Sequence, residues 1–227
     1  MLHVISRHFD FITKLLERRY RYLLISLLFM VVVPGFIVNP EIQKVVVYVL
    51  QASVVYLGVL CIQESKREFN IGMSLGLTVL IINWIGIFQD DATINFYFSF
   101  LIFMIFYGFL AYRLLTKIFA TRKVTPGVLF AAINIYLLLG IIGGFAFMLI
   151  ENIYPGSLNN LQLTDLTHPS KFYYFSFTTL TTLGYGDITP TSSAAQSVSI
   201  VLSSSGQLYL TIIVAILVGR YIHGRGI

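Results

Sequence analysis

Six long apolar runs, over 22–38, 45–62, 71–88, 94–112, 128–150 and 194–219, dominate the chain, and basic, polar or turn-forming stretches separate them. Runs of this length cross a bilayer as helices, so the pattern predicts an all-α membrane protein with six transmembrane helices. Pro34 sits near the end of the first run, where a missing N–H predicts a bend. Between the fifth and sixth runs the pattern changes. "ENIYPGSLNNLQLTDLTH" is polar and turn-rich, a loop; "PSKFYYFSFTTLTT" is apolar and aromatic but too short to span, with Ser170 placed to cap its start. The hydroxyl-rich, glycine-broken "TTLTTLGYGDITPTS" then leads into the sixth run. A short re-entrant helix followed by an extended return is the expected form. Irregular backbone at membrane depth persists only where protein buries it or where it lines a watery path.

Composition agrees with a membrane setting: of 227 residues, 57% are hydrophobic and 11% charged, with mean hydropathy +0.83. Charge placement sets the orientation. With the N-terminus inside, thirteen of the fifteen Lys and Arg lie on the inner side, only Lys44 and Lys171 falling outside. Six of the ten acids, Glu41, Asp90, Asp91, Glu151, Asp165 and Asp187, lie outside. Both termini are therefore expected in the cytoplasm, and the net charge of +5 reflects topology and calls for no nucleic-acid partner. Residues 1–21 resemble a signal-peptide n-region, but the run after them ends in "PGFIVNPE", not a small-residue cleavage site, which predicts a retained span. The single cysteine, Cys61, rules out an internal disulfide and reads as a packing residue. His3, His8, His168 and His223 are scattered over loops and termini, and no Ser/His/Asp or metal-ligand grouping emerges, so an enzyme is not expected.

The chemistry lies around Tyr185. Gly184 and Gly186 flank it, and glycine enters the left-handed backbone region without penalty. Alternating such residues with ordinary ones turns successive carbonyls the same way, which a regular strand does not do. A row of main-chain oxygens of this kind replaces the water shell of an alkali cation. Since the chain holds one copy of the motif and no repeat of it, a closed ring of oxygens requires several identical subunits.

These residues carry a resemblance. "TTLGYGD" resembles the selectivity-filter signature of tetrameric potassium channels, and its position between the last two of six spans resembles the voltage-gated-like superfamily. The resemblance covers about 128–219 closely and the earlier chain only in architecture. It implies a homotetrameric pore in the bilayer, passing K+ and no soluble substrate. The carbonyls of Thr182, Leu183, Gly184 and Tyr185, with the Thr182 hydroxyl, would bind successive K+ ions, and Gly186 and Asp187 would form the outer mouth. The family usually has Val or Ile at the position of Leu183, so selectivity for K+ over Na+ is less secure than the pore itself. Where the family often braces the filter with paired tryptophans, this chain has Tyr174 and Phe175; Tyr174 either bonds Asp187 or only packs. Thr178 and Thr179 lie behind the filter, with hydroxyls placed to satisfy its amides. Gly206, 19 residues after Asp187, falls where many members place a gating hinge, although "SSSG" equally suits close helix packing. Carried across, the face formed by Ser203, Gln207, Leu210, Val214 and Leu217 lines the cavity.

The fourth run, "INFYFSFLIFMIFYGFLAY", holds no charge, whereas a voltage sensor moves arginines through the field. The first half therefore predicts a sensor-like domain with weak or no voltage dependence. "RLLTKIFATRK" groups Leu114, Leu115, Ile118 and Phe119 on one face, an interfacial helix that either couples to the sixth span or anchors at the lipid surface. Thr125 caps the fifth span, and Glu151 either ties its far end to the loop or is a solvated acid. The expected organisation is a basic N-terminus (1–21), a four-helix sensor-like domain (22–112), a linker helix (113–125), a pore domain (126–219) and a short cytoplasmic tail (220–227). After 219 only "RYIHGRGI" follows, so either gating is intrinsic to the membrane part or the sequence is a piece of a longer chain. The alternatives to a K+ channel are a non-conducting modulatory subunit, a less selective monovalent cation channel and a potassium transporter subunit. The short loops suggest a cell membrane of bacterial type, the inner membrane.

Overall fold

The computed structural model describes residues 18–62, 66–88, 93–121, 124–161 and 169–223. Residues 1–17 of the expected basic N-terminus (1–21), with His3 and His8, and the loop residue His168 lie outside them, whereas 18–21 open the first helix. The described residues form seven helices: α1 (Arg18–Phe36), α2 (Pro40–Cys61), α3 (Lys66–Phe88), α4 (Thr93–Ala120), α5 (Pro126–Ile153), α6 (Pro169–Leu180) and α7 (Ser193–His223). Among the described residues α1, α2, α4, α5 and α7 are long and apolar enough to cross a membrane. The 23-residue α3 runs between α2 and α4. Among the described residues the one β element is a two-residue antiparallel pair, β1 (Leu158–Asn159) with β2 (Thr189–Pro190), in which Leu158 faces Pro190 and Asn159 faces Thr189.

Local chemistry explains the helix ends. Pro34 does not bend a continuing helix but ends α1, whose last turn tightens to a 3-10 helix over Val33–Phe36. The end is tied to the next helix, because Pro34 O accepts both the Ile37 amide (3.3 Å) and Gln43 Nε2 (2.6 Å). Asn39 caps α2 through Oδ1, which accepts from the amides of Glu41 and Ile42, and Pro40 occupies the first turn. Thr125 caps α5 ahead of Pro126 as expected. α6 begins at Pro169, so Ser170 lies inside its first turn and not at the cap.

Two further differences concern domain bounds. Residues 113–120 form no separate linker helix; α4 runs on through Ala120. Its buried stripe Phe103, Phe106, Tyr107, Leu110, Leu114 and Ile118 keeps helical spacing across the expected break, so continuation buries more apolar surface than a turn would. Leu115 is only half-buried and Phe119 is exposed. Likewise α7 extends to His223, so residues 220–223 of the expected tail are helical.

The core joins the first four helices to α5 and α6. α1 buries Tyr20, Leu23, Leu27 and Met30 along one stripe. It is fixed by Ser26 Oγ to Ser53 Oγ on α2 (2.5 Å), by Tyr107 OH donating to Met30 Sδ, and by Asn134 Nδ2 on α5 donating to Tyr20 O (2.9 Å). A chain of rings then crosses the molecule. Phe103 and Tyr107 of α4 stack on Phe145 of α5, and Phe145 meets Tyr173 of α6 edge-on at 5.9 Å. At the α3–α4 end Arg113 pairs with Glu68. The shared core fixes α6, and thereby the segment after it.

Candidate functional site: the segment between α6 and α7

α6 lies against a face of α5 that glycine makes flat. Side chains at Gly140, Gly143 and Gly144 would collide with Phe177, Ser176 and Tyr173 of α6, so a small residue is needed at each. Ser176 Oγ donates to Gly140 O at 2.6 Å and locks the pair. Phe175 is buried edge-on against Phe147, ring centroids 4.6 Å apart.

The end of α6 generates the unusual backbone that follows. Thr182 N donates to Thr179 O (3.0 Å) and Leu183 N to Thr178 O (2.9 Å), with Thr182 itself at φ +58. This is a Schellman-type stop, in which a left-handed residue closes the helix; its usual occupant is glycine, and a β-branched threonine there is strained. Gly184 N also reaches Thr178 O, at 3.1 Å. Support behind the segment therefore comes from main-chain carbonyls of α6. The expected threonine hydroxyls do not supply it at Thr178, whose Oγ1 turns back to Phe175 O. Thr182 Oγ1 donates to Thr181 O (2.6 Å) and accepts from Gln207 Nε2 of α7 (3.2 Å). The sequence reading missed both the strain at Thr182 and its link to Gln207, for no local pattern marks a contact 25 residues away.

Further on, Gly184 and Gly186 stand at φ +51 and +82 on either side of Tyr185, in the left-handed region assigned to them. Thr181 to Asp187 are all exposed on the single chain, Tyr185 by 68%. Tyr174 OH donates to Asp187 Oδ2 at 2.7 Å, and the rings of Tyr174 and Tyr185 stack at 6.4 Å. That bond holds the Asp187 carboxyl below its ordinary range and, with some loss of water, pushes the Tyr174 hydroxyl up to about 12. A support not foreseen comes from the loop after α5: Asn160 Nδ2 donates to the main-chain oxygen of Asp187 at 2.6 Å. Glu151 is buried and ties α5 to that loop, accepting from Gly156 N (2.7 Å) and Leu158 N (2.9 Å).

On α7, Gln207, Leu210 and Val214 are exposed while Ser203 and Leu217 are half-buried. Gly206 is buried, and a Cβ there would strike the carbonyl of Leu180 at the end of α6. The helix passes through it unbroken. Tyr209 OH anchors α7 to α5 through Ala132 O (2.6 Å). At the far end of α7, Arg220 donates to the carbonyls of Ile118 (2.5 Å) and Thr121 (2.7 Å) through one nitrogen and to Phe119 (3.1 Å) through another. It thus caps the C-terminus of α4.

Among the described residues no three His, Cys, Asp or Glu gather as metal ligands. What the segment offers a ligand is main-chain oxygen and hydroxyl, the ligand set of hard cations. That segment lies between the last two long helices of an apolar multi-helix fold. Residues 135–222, from α5 through α7, match the family model described as Ion channel, so this part of the chain is similar to an ion channel domain, and α1 to α4 lie outside the match. No curated protein and no solved structure matches the chain.

Proposed function

We infer that the protein is a multi-pass channel of the cell membrane that conducts K+ passively, as a homotetramer, through the oxygens of Thr182, Leu183, Gly184 and Tyr185. The observation that carries this is the exposed 181–187 segment, with Gly184 and Gly186 left-handed around Tyr185, inside the stretch similar to an ion channel domain. Dehydrating a cation is favourable only where several oxygens replace its water together, and one chain supplies one wall. α7 supports assembly around that wall. Only 17% of its most apolar stretch is buried in the single chain, against 61% for α5, and its exposed residues include Gln207, Leu210 and Val214 of the proposed cavity face.

In this reading α3 also spans, as the third of six spans, both termini are cytoplasmic, and the membrane is the bacterial inner membrane. α6 is the re-entrant helix, and Asp187 at the outer mouth raises the local cation concentration. α4 carries Arg113 and Lys117 only in its last turns, so little charge crosses the field and voltage dependence is weak. Gly206 as a gating hinge belongs to the same reading, although its contact with Leu180 also favours close packing.

The test is K+ efflux from liposomes holding the purified full-length protein. Wild type is expected to release K+ under a gradient, and Gly184→Ala to abolish release while still assembling, because a side chain at φ +51 costs on the order of 1–2 kcal/mol per subunit. Equal efflux from the two proteins would contradict the proposed conduit. An assembled wild-type protein that releases no K+ would favour the modulatory-subunit reading.

A further inference from the structure

We propose that Asn160 is a positioning residue for the outer end of the conduit, its carboxamide strapping the Asp187 carbonyl to the loop that α5 controls. The proposal rests on the channel reading for its role in conduction, but the strap is argued from the structure alone. Glu151, buried at the end of α5, spends both carboxylate oxygens on the amides of Gly156 and Leu158 and so fixes the start of the loop. The loop is next stitched to the chain beyond Asp187. Thr191 N donates to Ser157 O (2.8 Å), Thr191 Oγ1 to Gly156 O (2.5 Å), and β1 pairs with β2. Asn160 follows β1 directly. It stands at φ +61, with its amide donating to Asn159 Oδ1 at 3.0 Å, and its side chain reaches Asp187 O at 2.6 Å.

Asparagine suits both demands. It tolerates the left-handed region as few other residues do, and it carries an N–H donor that glycine lacks. Asp187 is thereby held twice, through its carboxylate by Tyr174 of α6 and through its main chain by Asn160 of the α5 loop. The Asp187 carbonyl, engaged by Asn160, is withdrawn from the row of cation-facing oxygens, which then ends inward of it. Releasing Asn160 leaves the negative charge in place but removes the partner of the Asp187 carbonyl, so the peptide after Asp187 is held only from its Ile188 amide side and moves more readily. A cation bound at the outer site opposes that motion by mass action, since it binds only the ordered arrangement.

The test uses Asn160→Gly, which keeps the backbone conformation and loses the donor, and Asn160→Asp, which keeps the shape and sets an oxygen against the carbonyl. Both are made in the full-length protein, with two readouts. In both variants amide hydrogen exchange at 186–189 is expected to rise at least tenfold over wild type. During sustained opening in a planar bilayer, K+ current is expected to decline at least fivefold faster in low external K+, the difference shrinking as external K+ is raised. Exchange within twofold of wild type in Asn160→Gly overturns the strap. Raised exchange with an unchanged decline overturns its role in conduction. If wild type itself carries no K+, the channel reading fails, while the exchange comparison still decides whether Asn160 orders the segment.

Discussion

Tyr174 and Asp187 act on each other's protons, and the direction of each effect fixes a pH window. The hydrogen bond holds the Asp187 carboxyl below its ordinary 3.8, so its stabilising contribution is present above that value and is lost as pH falls through the depressed one. The same bond raises Tyr174 from 10.0 to about 12, a contribution fully present below 10.0 and lost as pH rises through about 12. Steady K+ current should therefore be flat between external pH of about 5 and 9 and fall only below the carboxylate range. Tyr174→Phe removes the donor, and the expected outcome is a steady current at least threefold smaller with an acid midpoint moved upward. A variant with the wild-type plateau and midpoint would show that the bond does not hold the mouth. Thr182 is the second residue of consequence. Its left-handed backbone costs on the order of 1–3 kcal/mol, and the Gln207 contact offsets about 1 kcal/mol of that.

Among elements, α7 meets the rest of the chain at two places that make different demands. Near its middle, Gly206 lets the helix touch the end of α6, so Gly206→Ala pushes the two apart. If packing is its main duty, the variant should lower the melting temperature of the detergent-solubilised protein by several degrees. A hinge without packing duty predicts the opposite, because alanine favours a helix by roughly 1 kcal/mol. At its end, Arg220 satisfies carbonyls at the end of α4 and so ties α7 to the first four helices. Arg220→Gln should raise open probability at least twofold if that tie favours the closed pore, and lower it comparably if it favours the open one. An unchanged open probability would remove α4 from gating. Sequence made some of this legible and not the rest. Thr125, Gly184 and Gly186 announce themselves because cap and turn chemistry is local, and the fourth run's lack of charge is visible by inspection. Tyr174 was readable only beside the motif it supports. Asn160 and Arg220 carry no local signal, since their partners lie 27 and about 100 residues away. The extension of α4 to Ala120 was missed because "RLLTKIFATRK" is amphipathic on its own, and only the packed core shows Leu114 and Ile118 continuing the buried stripe.

At the scale of the whole molecule, one shared core runs from α1 through the Phe103, Tyr107 and Phe145 rings to Tyr173, and the first half buttresses the helix that carries the segment. With little charge inside α4, the proposed reading has that half support the segment without sensing voltage, and it predicts that open probability changes less than threefold over 100 mV; a steeper rise would require gating charge elsewhere. The central claim is that main-chain oxygens around Tyr185 select a dehydrated cation. Its most direct test is the reversal potential of the purified protein in a planar bilayer with K+ on one side and Na+ on the other. The account predicts a reversal displaced toward the K+ equilibrium potential, by more than about 58 mV if K+ is preferred over tenfold. A reversal near zero, with current carried equally by both ions, would contradict it.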